Sequence, residues 1–401
     1  MTGPLEGIRI IDLTAMVSGP LATMILADQG AEVIKVENPA GGDFTRSAAN
    51  RQGNVSASFL NNNRNKKSVA LNLKEPAGRE ALLKLVATAD VFVQNFRPGV
   101  IDRMGLGEDA LRKVAPDLIM VSISGFGDTG PYAQRPVYDP LIQGLSGLAT
   151  VQAGADEQRP QLVRTILPDK LTGVTAAQAI TAALFARERT GEGQHVRLSM
   201  LDAIIAFLWS SDMGSQTFVK GELLQQEAAS FQDLIYETTN GYITIAVQND
   251  REWQALILAM NRPEWAEDPR FLTAELRQKN IDARLDLIQS VIRTDSAENW
   301  LELLAEESVP CAPVLTRTQV LDHPQVRAND LLVEYDHPQA GQIRQTRSPA
   351  RFSAAPAQPW HGAPALGQDT MALLAGCGYS SDDLQALVQS GVAGAAEEGQ
   401  S

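Results

Sequence analysis

The chain has 401 residues, too many for one small core, and reads as two domains. With 44% hydrophobic and 20% charged residues, its composition is that of an ordinary globular protein. A net charge of −14 argues against a nucleic-acid partner, and an anionic ligand would need a local cluster of Arg and Lys built for it.

"MTGPLEGIRI" has neither the basic nor the apolar region of a secretory signal, and no apolar run approaches bilayer length. A cytoplasmic protein without membrane contact is expected. "GIRIIDL" reads as a buried strand, "GPLATMILADQG" as a short helix ending at Gly30, and "AEVIKVE" as a second strand. The alternation continues through helix "GREALLKLVATA", strand "VFVQNF", helix "EDALRKVA" and strand "LIMVSIS", which predicts a doubly wound α/β domain. Two basic clusters flank these strands. Arg64, Lys66 and Lys67 precede "VALNLK", while Arg97 and Arg103 follow "VFVQNF". Doubly wound sheets bind ligands beyond their strand ends, so the clusters suggest a phosphate-bearing ligand.

Gly125, Gly127 and Gly130 then match GxGxxG, but Pro131 and Pro136 forbid the helix that would face a pyrophosphate. The stretch reads as an ordered loop, not a dinucleotide fingerprint. Next comes "PDKLTGVTAAQAITAALFARERTGEG", a long helix ending at Gly191, with Arg187 and Arg189 in its last turn. Asp169 sits at its start. Such an acid is ordinarily a helix cap. The same position, with N–H groups keeping the carboxylate ionised, also suits a nucleophile. Gly173, Ala176 and Ala177 are small, which would leave room beside the acid for a ligand.

"QHVRLSM" reads as one more strand and "LDAIIAFLWSS" as an apolar helix. After about residue 215 the pattern weakens into a linker. "LIYETTNGYITIAVQ" is a hairpin with Asn240 and Gly241 at its turn, followed by helical segments of a smaller α+β domain over 226–325. "ALGQDTMALLAGCGYSSDDLQALVQSGV" reads as helices returning to the first domain, and 393–401 as a frayed tail. Cys311 and Cys377 lack CxxC spacing, and His195, His323, His337 and His361 are scattered, so neither a disulfide framework nor a metal is expected. No GxSxG elbow, Walker lysine loop or HExxH is present. What remains is carboxylate, Ser or Tyr chemistry with a large ligand.

Taken in order, "PLEGIRIIDLTAMVSGPLATMILADQGAEVIKVENPAGGDFTR", "NRNKKSVALNLK", "VFVQNFRPGVIDRMGLG", "GFGDTGPYAQRPVYDPLIQGLSGL", "DKLTGVTAAQAITAALFARERTGEGQHVRLSM" and "PCAPVLTRTQVLDHPQV" resemble the class III CoA-transferases. The resemblance spans about residues 4–392. It implies a Rossmann-like large domain, 1–215 completed by 340–392, and a small α+β domain, 226–325. Linkers 216–225 and 326–339 would join them, and the ring-shaped chain would interlock with a second copy as a homodimer. It implies coenzyme A thioesters as substrates and no permanently bound cofactor. Asp169 matches the family's nucleophile, which forms a mixed anhydride with the donor acyl group and then an aspartyl-CoA thioester.

The family's CoA and substrate contacts fall on Val17, Ser18, Leu71, Asn72, Leu73, Lys74, Asn95, Phe96, Arg97, Arg103, Met104, Arg135 and Tyr138. Asn38 stands where relatives carry an arginine for the CoA phosphates. Val17 replaces the glutamine of formyl-CoA transferase, and no clear glycine-rich loop lies near residue 258. The racemases of the superfamily pair the aspartate with a His where this chain has Tyr138. A phenol of pKa about 10 is a poor base for an α-proton, which favours transfer over racemisation. A non-catalytic CoA-binding protein would have no need of Asp169. The segment "GDFTR" is closer to the succinyl-CoA–dicarboxylate branch. There Arg46 or Arg164 could pair with the second carboxylate of a dicarboxylic acceptor, and succinyl-CoA is a candidate donor.

Overall fold

A computed structural model of the chain describes residues 3–53, 55–219, 234–354 and 361–396. By its internal contacts the chain divides into two compact units, residues 1–229 with 331–401, and residues 230–330.

The first unit opens with β1 (Arg9–Leu13), α1 (Ser18–Asp28), β2 (Glu32–Glu37), β3 (Lys66–Leu71), α2 (Pro76–Val86) and β4 (Val91–Gln94). It continues with α3 (Glu108–Val114), β5 (Ile119–Ser124), α4 (Asp139–Leu145), α5 (Leu167–Thr190), β6 (His195–Ser199) and α6 (Met200–Trp209). The second unit holds β7 (Ile235–Glu237), β8 (Tyr242–Ile245), α7 (Asp250–Ala259), α8 (Ile281–Ile292), α9 (Ala297–Glu306) and β9 (Cys311–Pro313). The chain then adds a hairpin, β10 (Leu332–His337) and β11 (Gly341–Thr346), before α10 (Thr370–Gly376), α11 (Ser381–Gln389) and β12 (Ala393–Gly394).

The large sheet runs β12-β3-β2-β1-β4-β5-β6, parallel except for β12. Its parallel part has the doubly wound order 3-2-1-4-5-6, which reverses between β1 and β4. Strands covered on both faces need apolar residues at successive positions, and adjacent side chains do point to opposite cores. Ile11, Ile34 and Leu82 belong to one core with Leu374 and Leu384 of α10 and α11. Ile10, Val33 and Val93 belong to the other, with Leu26 of α1 and Ile180 of α5.

Helix α5 stops where Gly191 takes the left-handed conformation (φ 75°), and Arg187 in its last turn bonds Asp90 at 2.7 Å. The chain enters α4 only at Asp139, so the glycine loop is not followed by a helix, and Gly127 and Gly130 adopt positive φ.

In the second unit a three-stranded antiparallel sheet, ordered β9-β8-β7, packs against helices. Its core centres on Trp253, which stacks on Trp265 with ring centroids 6.1 Å apart. The hairpin loop is longer than Asn240-Gly241 alone, since Glu237 pairs with Tyr242 and four residues lie between. Two elements differ from expectation. The stretch 326–339, read as a linker, contains β10. The tail read as frayed begins with β12, whose Ala393 is buried and pairs with Leu71. An unpaired edge backbone beside β3 explains why these two residues are held. The linker expected at 216–225 lies largely outside the described residues.

Candidate active site

Two cavities adjoin at the β1/β4 reversal. The larger, about 620 Å³, is lined by the chain after β1, β2 and β3, including Thr14, Asn38, Asp43, Leu71, Asn72, Leu73, Lys74, Arg79, Phe96, Arg103 and Met104. The smaller, about 180 Å³, is lined by Met16, Val17, Ser18, Asn95, Phe96, Arg97, Arg135, Val137, Tyr138 and Asp169. Every contact residue expected from the resemblance therefore lines one of two neighbouring spaces, and Phe96 belongs to both.

The loop between β1 and α1 forms the shared wall. Met16 holds φ at 71°, a left-handed conformation that is costly for a residue with a Cβ. It is held there by clamps on successive residues. Asp12 Oδ1 accepts from Thr14 N at 3.0 Å, Asn95 Oδ1 accepts from Ala15 N at 3.0 Å, and Asp43 Oδ1 accepts from Met16 N at 3.3 Å. Asn95 Nδ2 also donates to Ala15 O at 2.8 Å, so much of this side chain is committed to shaping the loop. Phe96 is fixed by a cross-strand ladder. Its N–H donates to Gln94 Oε1 at 2.7 Å, Gln94 Nε2 donates to Ser122 Oγ at 2.8 Å, and Ser122 meets His195 Nε2 at 2.8 Å. His195, scattered in the sequence, completes this ladder by meeting Glu108 Oε2 through Nδ1 at 2.7 Å.

Asp169 occupies the third position of α5 and does not cap its own helix. The N-cap residue Ile166 makes no side-chain bond, and the backbone N–H of Asp169 donates instead to Oδ2 of the buried Asp139 at 3.2 Å. The Asp169 carboxylate accepts from the backbone and the hydroxyl of Ser18, the first residue of α1. Burial, then the charge of Asp139, push its pKa up to about 6 against the pull of those bonds. A carboxylate in this state is ionised at neutral pH and more basic than a free aspartate, which suits nucleophilic attack.

Several expectations need correction. Gly173 and its small neighbours do not leave room for a ligand. A Cβ on Gly173 would lie 2.8 Å from Ser18 O, and Ala176 and Ala177 are buried, so they let α1 close against α5. Arg64, Lys66 and Lys67 do not form a phosphate site. They pair with Asp28 at 2.5 Å, Asp12 at 2.9 Å and Glu32 at 2.6 Å. Lys66 and Lys67 begin β3, and the strand's other end, Leu71, lines the large cavity. Arg46 does not face an acyl group. It is buried, grips both oxygens of Glu37 at 2.7 and 2.8 Å, and lies over the ring of Phe59. Arg164 is exposed and lines neither cavity.

Sequence reasoning missed Asp139, Arg79 and Met16. Only Asp139, beside the singled-out Tyr138, carried a local signal.

Among the described residues, no group of three or more His, Cys, Asp or Glu is placed to hold a metal ion, and no helix is long and apolar enough to cross a membrane.

Residues 5–370 match the model of CoA-transferase family III. The chain is 34% identical to succinyl-CoA:glutarate CoA-transferase of Mus musculus over 395 residues, 97% of this chain and 90% of that protein. It is 35% identical to acetyl-CoA:oxalate CoA-transferase of Acetobacter aceti over 357 residues, 88% and 90% of the two chains. A solved structure of a CaiB/BaiF family protein from Brucella suis matches with a TM-score of 0.81 at 32% identity, covering 94% of this chain and 100% of that one.

Proposed function

The chain belongs to CoA-transferase family III, and from that premise we propose that it moves coenzyme A from an acyl-CoA, such as succinyl-CoA, to a small dicarboxylic acid through Asp169. The observation that carries this reading is the Asp169 carboxylate, freed from capping, partly buried and lining a small cavity beside a large one. The large cavity suits the nucleotide end of coenzyme A. Lys74, Arg79 and Arg103 line it, so that Arg79 offers a cation where Asn38 does not. The small cavity suits a short acyl group. The relatives act on glutarate and oxalate, which supports a dicarboxylic acceptor. Arg97 and Arg135 are the cations for its far carboxylate, Arg46 being committed elsewhere and Arg164 lying outside both cavities.

Chemistry follows in four balanced steps. The Asp169 carboxylate attacks the donor thioester carbonyl, the C–S bond breaks, and a mixed anhydride and the CoA thiolate result. The thiolate attacks the aspartyl carbonyl, releasing the donor acid and leaving an aspartyl-CoA thioester. The acceptor carboxylate attacks that thioester, giving a second anhydride and the thiolate again. The thiolate then takes the acceptor acyl group and frees Asp169. The thioester's free energy survives only if water is kept from the anhydride, and a partly buried carboxylate in a small cavity supports that requirement. Racemisation would need a second base, but its position is Tyr138, which is 69% exposed.

Incubation with succinyl-CoA followed by hydroxylamine should convert Asp169 to its hydroxamate, read as a mass shift on the peptide that contains it. A shift on another residue, or none, would remove the reading. An interlocked cytoplasmic homodimer belongs to the same proposal. It is supported by large apolar side chains left exposed on α4, α5 and α6, including Leu141, Val174, Phe185 and Trp209. Light scattering should return about twice the 43.3 kDa chain mass, and a monomer would exclude the dimer.

A further inference from the structure

Asp139 opens α4, directly behind the backbone of the nucleophile. It is 3% exposed, and both its oxygens are occupied. Oδ2 accepts from the Asp169 N–H at 3.2 Å, and Oδ1 accepts from Gln143 Nε2 at 2.6 Å. Gln143, 2% exposed, accepts from Val163 N through Oε1 at 2.9 Å and reaches Thr165 O through Nε2 at 3.3 Å. One carboxylate and one amide therefore tie α4, the 163–165 segment and the first turn of α5 into a single unit.

An acid in the first turn of a helix ordinarily folds back on the free N–H groups there. At α5 that duty has been transferred. We propose that Asp139 is a positioning residue for the transfer reaction: it caps α5 from outside, leaving the Asp169 carboxylate free to face the cavity, and its fixed charge stands behind that carboxylate. The inference rests on Asp169 being the nucleophile. A negative charge held behind a half-buried carboxylate makes that carboxylate harder to ionise and so more basic. The direction of the Asp169 shift agrees, with Asp139 the charged neighbour that raises it. Arg97, Arg135 and Tyr138 also line the cavity, and all three are exposed. α1 brings only the Ser18 donors to the acid.

The test is the pH dependence of exchange of labelled succinate into succinyl-CoA, in wild type, Asp139→Asn and Asp139→Glu. In wild type the acid limb should lie near pH 6. In Asp139→Asn it should move down by roughly one pH unit. The rate at neutral pH should fall on the order of tenfold, because a less basic carboxylate attacks more slowly. Asp139→Glu retains the charge and should keep the limb near its wild-type position even if the rate falls. An unmoved limb in a folded Asp139→Asn protein overturns the proposal and leaves Asp139 a plain cap. Should Asp139→Asn not fold, a limb in Asp139→Glu at ordinary carboxylate pH overturns it instead. Hydroxylamine trapping on wild type separates the two failures, since an adduct at Asp169 with an unmoved limb refutes Asp139 alone.

Discussion

Asp12, fully buried, and Asp169, half-buried, lie within the same unit, yet they behave as opposites. Burial disfavours the charge on Asp12, but Lys66, Lys35 and the hydroxyls of Thr14 and Thr23 outweigh it and hold the carboxyl far below the usual range. Among the described residues no cation is set against Asp169, whose charged neighbour is another carboxylate, and its pKa rises to about 6. The difference teaches how to tell scaffold from reagent. A buried carboxylate whose bonds are all met by cations and donors fixes geometry, here the Thr14 turn and the middle of α1. A buried carboxylate left under-compensated retains reactivity that the fold has not used up.

Exchanging the two behaviours gives the sharpest tests. Asp169→Asn should remove transfer by about a thousandfold or more, measured as succinate exchange, because an amide cannot replace the carboxylate as nucleophile. Residual activity of several per cent would return Asp169 to a structural role. Lys66→Met should act on the other carboxylate and cost about 3–5 kcal/mol in urea unfolding, since Asp12 would stay buried with its nearest cation gone. A loss under about 1 kcal/mol would show that Lys35 alone sustains the site. The smallest effect has the least familiar sign. The folded pKa of Asp169, about 6, lies above its unfolded value of about 3.9, so its ionised form opposes folding at neutral pH. Asp169→Asn should therefore stabilise the protein at pH 7 by on the order of 1–3 kcal/mol. The gain should shrink as pH falls through 6 and vanish below about 4, where wild type is protonated in both states. Asp12 runs the other way. Its depressed folded pKa contributes stability above about pH 4 that is lost on acidification. A destabilised Asp169→Asn protein at pH 7 would contradict the contrast.

How much of this was legible depended on whether the cause lay near in sequence. The parallel strands were visible because a sheet covered on both faces writes itself as runs such as "RIIDL" and "IMVSIS". Asp169 was visible as an acid at a helix start. That it was not the cap was invisible, because the true cap, Asp139, lies thirty residues away in the chain. The basic cluster at 64–67 misled for the same reason. Its partners are Asp28, Asp12 and Glu32, and a sequence shows the charges but not whether they are already neutralised. Arg46 was misread because Glu37, though only nine residues before it, meets it across a turn at Gly42 rather than along an element. Gly173 was misread as room for a ligand, because only the fold shows that α1 fills the space.

The two-residue strand β12 has a consequence for how the large cavity is closed. Its pairing with β3, and the bond from Asn72 N to Val392 O at 2.8 Å, brace the turn where Leu71, Asn72, Leu73 and Lys74 form one wall of the large cavity. That wall, formed by residues 71–74, is finished by residues 392–394, far along the chain. A chain cut between residues 170 and 392 would carry Asp169 and every predicted contact side chain but lack the strand that squares the wall. Loss of so short a strand would thus open the wall from behind, without removing a single side chain that lines the cavity.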